Sequence, residues 1–336
     1  MSATAGRQGR NEDPPRFTVG VVGAGRVGAV LGAALDRAGH RVVAVAAVSE
    51  ASLARAADLL PGVPLLDVPQ VVGSVDLVLL AVPDEALPGL VTGLATVGAF
   101  RPGQVVVHTS GRYGIGVLEA AARIGVLPLA VHPAMSFTGT SIDLDRLGDA
   151  CFAVTTVKEL EPLGEALVLE MGGEPITLEE EDRPLYHAGL SLAANHLATL
   201  VAQATQLLED AGVETPHRVL APLLGAALEN ALRDGDHALS GPVPGGDAAT
   251  VAEHLAELAT EPQIRSTYRA LSRATVELAR RRGRLRAAEA ESVLAVLDES
   301  ADSSDSDGGH RGNDRPSDQG LDTADDLTDD GPTEES

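Results

Sequence analysis

Three polar residues recur at every fourth position of an otherwise apolar stretch: His187, Ser191 and Asn195. In a helix, positions i, i+4 and i+8 share one face, so these residues form a single polar stripe. Such a stripe can bind and protonate a small polar molecule. Histidine exchanges a proton near neutral pH, and serine and asparagine hold oxygen atoms by hydrogen bonds. The reading takes His187 as a proton donor, Asn195 as a positioning group and Ser191 as the surface between them. Tyr186 and His196 are expected on other faces. The alternative is a structural stripe that bonds to neighbouring helices or to solvent.

A second group of candidates lies outside that helix. His132 ends an apolar run and is followed by Pro133 and then Ser136. A histidine at the end of a buried strand faces the crevice where open α/β sheets bind their ligands. His132 is read as a further catalytic candidate and Ser136 as a substrate contact, against a histidine that only satisfies a loop carbonyl. Ser240, in the turn Ser240-Gly241-Pro242, is a substrate-contact candidate, with an ordinary helix-linking turn as the alternative. No His, Cys, Asp and Glu cluster has the spacing of a metal site. Ser110, in "HTSGRYG", lacks the surroundings of a nucleophile elbow.

The segment Gly23-Ala24-Gly25-Arg26-Val27-Gly28 carries a different chemistry. It separates the apolar run Phe17–Val22 from a run with helical periodicity. In G-x-G-x-x-G the first glycine makes the turn, the second admits a pyrophosphate and the third lets helix and strand pack closely. The helix start then offers free N–H groups to phosphate oxygens. The type of dinucleotide is read at the end of the second strand, where an acid grips a ribose 2′-hydroxyl. Ser49 takes that position here, with Arg26 and Arg55 as nearby cations, which favours NADP. Glu50, one residue on, would favour NAD instead. Val82 and Pro83, and also Ser110 beside Gly111, end two further strands and are expected to line the same crevice.

These residues need a scaffold that brings strand ends together. Short apolar runs at 17–22, 41–48, 76–82, 104–109, 127–132, 150–155 and 175–178, with a weak one at 64–67, alternate with helical segments. Continuous apolar strands interleaved with helices predict an α/β fold, a Rossmann-type, mostly parallel sheet covered on both faces. After residue 178 only helical patterns follow. The predicted organisation is a lead-in at 1–15, a dinucleotide-binding domain at 16–178, an all-helical substrate and dimerisation domain at 179–297 and an acidic tail at 298–336.

Composition narrows the function classes. The 336 residues suffice for about two domains. There is no Trp, with only three Tyr and four Phe, so Val, Leu and Ala must build the core. The tail from Asp298 holds half of the net charge of -24 and almost no apolar residues; such a segment cannot offset its ordering entropy. The remaining body is acidic too, which argues against nucleic-acid binding. No run reaches the ~18 apolar residues of a membrane span. Cys151 is the only cysteine, which suits a reducing cytosol. Lys158 is the only lysine, so lysine-dependent chemistry has one candidate.

The segments "GVVGAGRVG", "DLVLLAVPDEAL", "VVVHTSG" and "HPAMSF" together resemble the Rossmann-like superfamily of 6-phosphogluconate dehydrogenase, ketopantoate reductase and pyrroline-carboxylate reductase. "RPLYHAGLSLAANHLATL" and "ALSGPVPGGDAATVAEHL" narrow the resemblance to Rossmann-like proteins with a C-terminal domain of unknown function 2520. It runs from about Phe17 to Leu297. It implies NADP binding and a helical second half that often forms dimers. Ketopantoate reductases carry a Lys and Asn residues at similar spacing, and His187 stands at the lysine-like position. Two features depart from the pattern: Gly245 replaces an arginine common in the family, and Lys158 precedes the long helix. The expected protein is a cytosolic NADP-dependent oxidoreductase of a small 2-oxo acid, with 2-dehydropantoate as first candidate. An imino-acid or prephenate-type dehydrogenase, or a catalytically silent NADP-binding sensor or scaffold, are the alternatives.

Overall fold

The computed structural model describes residues 16–299. The expected lead-in and, beyond Glu299, the acidic tail lie outside the described residues. The chain divides into two compact units, one running to Ala204 and the other starting at Thr205.

The first unit alternates strands and helices. They are β1 (Thr18–Val22), α1 (Arg26–Arg37), β2 (Arg41–Ala46), α2 (Glu50–Leu59), α3 (Val68–Gly73), β3 (Leu77–Leu80), α4 (Leu87–Thr96), β4 (Val105–His108), α5 (Glu119–Ala122), β5 (Leu127–Pro133), α6 (Ile142–Arg146), β6 (Cys151–Thr155), α7 (Glu161–Glu170), β7 (Glu174–Thr177) and α8 (Arg183–Asp210). The seven strands form one sheet in the order β2-β1-β3-β4-β5-β6-β7. All pairs are parallel except β5 with β6. The strand order reverses at β1, so the crevice of this α/β sheet opens beyond the ends of β1 and β3.

Period-two alternation divides the apolar strand residues between two cores. Leu77, Leu79, Val105 and Val107 face a core with Leu31, Leu35 and Leu167 from α1 and α7. Val78, Leu80 and Val106 face a second core with Val71, Val91 and Leu94 from α3 and α4. Burial on both faces explains why these strands read as continuous apolar runs.

The weak strand at 64–67 is reduced to a single bridge, in which Leu65 pairs with Val45 on the outer side of β2. Asp67 and Gln70 form a capping box directly after it, so the chain turns into α3, a helix the sequence reading omits. A capping box satisfies two free backbone donors at once, and Pro64 has no N–H with which to extend a ladder. The sequence boundary at 178/179 marks the end of the strands, whereas the compact units divide inside α8.

The second unit contains α9 (Pro216–Asp234), α10 (Pro242–Gly245), α11 (Ala248–Glu257), α12 (Pro262–Arg281) and α13 (Ala287–Glu299). Its core is built from Val251, Leu255, Val276, Ala279, Val293 and Leu297. Asp247 caps α11 by accepting from Thr250 N. Among the described residues, no helix is long and apolar enough to cross a membrane.

Candidate active site

The glycine turn connects β1 to α1. Gly23 has a φ of 92°, and a side chain there would run into the carbonyl of Ala81. A side chain at Gly28 would collide with the carbonyl oxygen of Gly23. Both positions require glycine for the fold. Gly25 differs, because a Cβ there meets nothing within 4 Å. The space above Gly25 is open, and α1 begins there with neither a capping side chain nor an acid in its first turn. Free N–H groups at an uncapped helix start suit an anion. The cradle therefore fits a dinucleotide pyrophosphate on its own geometry.

A cavity of about 450 Å³ extends from this turn. Gly25, Arg26 and Val27 form one wall, Val82 and Pro83 another, and Ser110 and Gly111 a third. Ala24 is buried beneath the turn. The Ser110 hydroxyl accepts from the N–H groups of Arg112 and Tyr113, so it shapes its own loop. His108 is fully buried and holds the same loop, accepting from Ser110 N at Nδ1 and bonding Gly114 O through Nε2. Burial pushes its pKa down to about 3, so it is a neutral structural residue.

Ser49 lies beyond β2 as the cap of α2, where its oxygen accepts from Ser52 N. Its role in the chain is thus partly structural. Arg26 and Arg55 converge on Gly139, since a Cβ there would lie 2.7 Å from Arg55 Nε and 3.1 Å from Arg26 Cγ. The Gly139 loop is held by the buried carboxylate of Asp143, which accepts from Thr138 N and Gly139 N. The sequence reading has no counterpart for this loop.

A second cavity of about 440 Å³ shares His132 and His187 with the first. Ser136, Ser191 and Asn195 also line it. The structure thus brings the helical stripe and the end of β5 to one groove, entirely within the first unit. Gly111 sits between the two imidazoles: a Cβ there would lie 2.9 Å from both His132 Nε2 and His187 Cδ2. Burial, with the positive charge of Arg183 and the proximity of His187, pushes the His132 pKa down to about 4. At neutral pH His132 is therefore uncharged and can donate one hydrogen bond, without acting as a cationic acid. Ser240 belongs to the second unit, where it lines a different cavity with Leu223 and Asn230 of α9. Lys158 is exposed, in the turn before α7.

Two residues beside the groove change the sequence reading. Tyr186 does not point away from the site, because its hydroxyl lies 2.9 Å from His132 Nδ1. Arg183, completely buried at the start of α8, bonds Thr155 Oγ1 and the carbonyls of Ser110, Ala130 and Ala153. No carboxylate among the described residues pairs with it. In the sequence Arg183 directly follows the acidic run Glu179–Asp182, which makes it read as a surface residue. Among the described residues, no group of three His, Cys, Asp or Glu could hold a metal ion.

This sheet and turn define a Rossmann-like protein. A Rossmann-like domain model matches residues 4–133, and a model for the domain of unknown function DUF2520 matches residues 150–275. The chain thus carries a Rossmann-like domain followed by a DUF2520 domain. Among curated proteins, none matches the sequence. Solved structures share the fold. A candidate NADP oxidoreductase, BF3122 from Bacteroides fragilis, is 22% identical, with a TM-score of 0.66 over 77% of this chain and 98% of that one. Protein TM1727 from Thermotoga maritima is 19% identical, with a TM-score of 0.58 over 79% and 99%. An imine reductase from Pseudomonas sp. is 16% identical, with a TM-score of 0.52 over 86% and 95%.

Proposed function

We propose that the protein is an NADP-dependent oxidoreductase that reduces a small 2-oxo acid, with 2-dehydropantoate as the first substrate to try. The observation that carries this reading is the groove itself, which leads from an open glycine cradle to a polar patch of His132, Ser136, His187, Ser191 and Asn195. A bound nicotinamide supplies hydride. The chain must then bind the acceptor, orient it and deliver a proton. Asn195, Ser191 and Ser136 provide hydrogen bonds for carboxylate and hydroxyl oxygens. His187 and His132, at the junction of the two cavities, are the groups placed to serve the reacting atom.

NADP is favoured over NAD by the pairing of Arg26 with Arg55 against the Gly139 loop. Two guanidinium groups suit a 2′-phosphate, because arginine binds phosphate through a planar fork of donors. The residues lining the inner cavity include no Lys or Arg, which favours a second reading: the reduced bond is C=N rather than C=O. The exposed Val219, Leu223, Leu228 and Leu232 on α9 support a homodimer formed through the helical unit, and the single cysteine supports a cytosolic setting.

The test has two arms. Nicotinamide oxidation is followed with a panel of 2-oxo acids and cyclic imines, and turnover of either class is the expected result. Affinity for NADPH and NADH is measured separately, with Arg55→Glu as the variant. NADPH is expected to bind at least tenfold more tightly, a difference of about 1.4 kcal/mol, and the variant to lose that preference. Tight NADPH binding without turnover of any panel member points to the silent sensor instead.

A further inference from the structure

We infer that Tyr186 is a positioning residue whose hydroxyl holds His132 in the tautomer that presents Nε2–H to the groove. This rests on the proposed oxidoreductase reading for its catalytic meaning, but the tautomer itself does not.

The geometry is specific. The Tyr186 oxygen is 2.9 Å from His132 Nδ1, and the rings meet edge to face, with centroids 5.6 Å apart at 88°. A neutral imidazole has one N–H donor and one bare nitrogen. Among the described residues, the Tyr186 hydroxyl has one hydrogen-bond partner, and that partner is Nδ1. If Nδ1 carried the proton, the phenolic hydrogen would have no acceptor in the protein. A half-buried hydroxyl that donates to its only protein partner is favoured over one that has lost that acceptor. With the phenol donating, Nδ1 is satisfied as the acceptor, the imidazole proton sits on Nε2, and that N–H is left facing the groove, available to a ligand.

Nε2 is the nitrogen that faces the site. It is the atom a Cβ at Gly111 would strike, on the side shared with His187, and the ring lines both cavities. Tyr186 stands on the opposite edge of the ring and contributes to the lining of neither cavity. Arg183, one turn earlier on α8, places a buried positive charge nearby that opposes protonation of the imidazole. The pair is therefore built as a neutral donor. Its Nε2–H can polarise a carbonyl or imine acceptor, while a separate group, for which His187 is placed, delivers the proton. Division of labour of this kind needs a fixed tautomer, because a bare Nε2 would repel the same acceptor atom.

The experiment is nitrogen-15 NMR of histidine-labelled, full-length protein at neutral pH without ligand, with His132 assigned by its loss in His132→Gln. The expected spectrum shows a pyrrole-like Nε2 and a pyridine-like Nδ1. In Tyr186→Phe, which keeps the ring and removes the hydroxyl, the expected result is a mixture of tautomers or a switch to Nδ1–H. A wild-type His132 protonated at Nδ1 overturns the proposal, and this holds whether or not the variant folds. An unchanged tautomer in a folded Tyr186→Phe also overturns it. Turnover is measured in parallel, with kcat expected to fall more than tenfold and KM to change little. If no substrate is turned over, the NMR result still stands, so failure of the oxidoreductase reading is distinguished from failure of this one.

Discussion

The Arg183 guanidinium donates to the carbonyl oxygen of Ala130 at 2.9 Å, tying the first turn of α8 to β5, the strand that carries His132. The same side chain also reaches β6, through Ala153 and Thr155, and the loop after β4, through Ser110. One buried cation thus fastens β5, β6 and the loop after β4 to one another beside the groove. Arg183→Met keeps most of the side-chain length but leaves these oxygens without their donor. Each unsatisfied buried group costs roughly 1–3 kcal/mol, so a loss of ~3 kcal/mol or more in urea unfolding is expected. A loss below about 1 kcal/mol would show that the bonds are made equally well by water.

Stability should fall as the pH is lowered through the histidine range. His108 and His132 have folded-state pKa values of about 3 and about 4, against an ordinary 6.5. Between those limits the unfolded chain binds protons that the folded protein refuses. Stability therefore increases with pH in this window. The contribution is complete above about 6.5 and is lost as the pH falls towards the folded values. The check is the urea midpoint at about pH 7.5 and about pH 5. A lower midpoint at pH 5 is expected, with a smaller difference in His108→Gln. Identical midpoints would mean that neither ring is held neutral by its burial.

Two glycines of one turn should separate binding from folding. Gly28→Ala drives a methyl group into the carbonyl oxygen of Gly23, so loss of stability is expected whatever the ligand. Gly25→Val adds a side chain where the protein has open space. That variant should unfold at the parental urea concentration and bind NADPH at least a hundredfold more weakly, as measured by fluorescence titration. Parental NADPH affinity in Gly25→Val would remove the turn from the binding site.

The legibility of these features differs for physical reasons. Strand 77–80 and the glycine turn are local patterns, set by apolar continuity and by backbone sterics, and a sequence displays both. The stripe His187, Ser191, Asn195 follows from helical periodicity alone, and all three residues line the inner cavity. Tyr186 is different. Its position on α8 is readable, but its partner lies 54 residues earlier on β5, and helical phase does not say which strand end a neighbouring residue meets. Arg183 is hidden for the same reason, and also because a buried arginine without an acid runs against expectation. The convergence of Arg26 and Arg55 depends on the Gly139 loop and on the buried Asp143 that shapes it, a tertiary arrangement with no periodic signal.

Along α8, His187 and Asn195 lie about 12 Å apart, from a rise of ~1.5 Å per residue. A small oxo acid cannot touch both unless their side chains lean together, so the two residues should have different kinetic signatures. His187 stands where the two cavities meet, whereas Asn195 lines only the inner one. On the proposed oxidoreductase reading, a group at the junction would lie near the atom that receives hydride, and a group deeper along the stripe would hold the far end of the acceptor. His187→Ala should accordingly lower kcat by about 10²-fold or more, in line with loss of a general acid, while NADPH affinity stays within a factor of about two. Asn195→Ala should mainly raise KM, by about tenfold for one lost hydrogen bond to a charged oxygen. The measurement is steady-state kinetics on both variants with cofactor affinity determined separately. A parental kcat in His187→Ala would return the stripe to a purely structural role and leave the proton to be delivered by solvent.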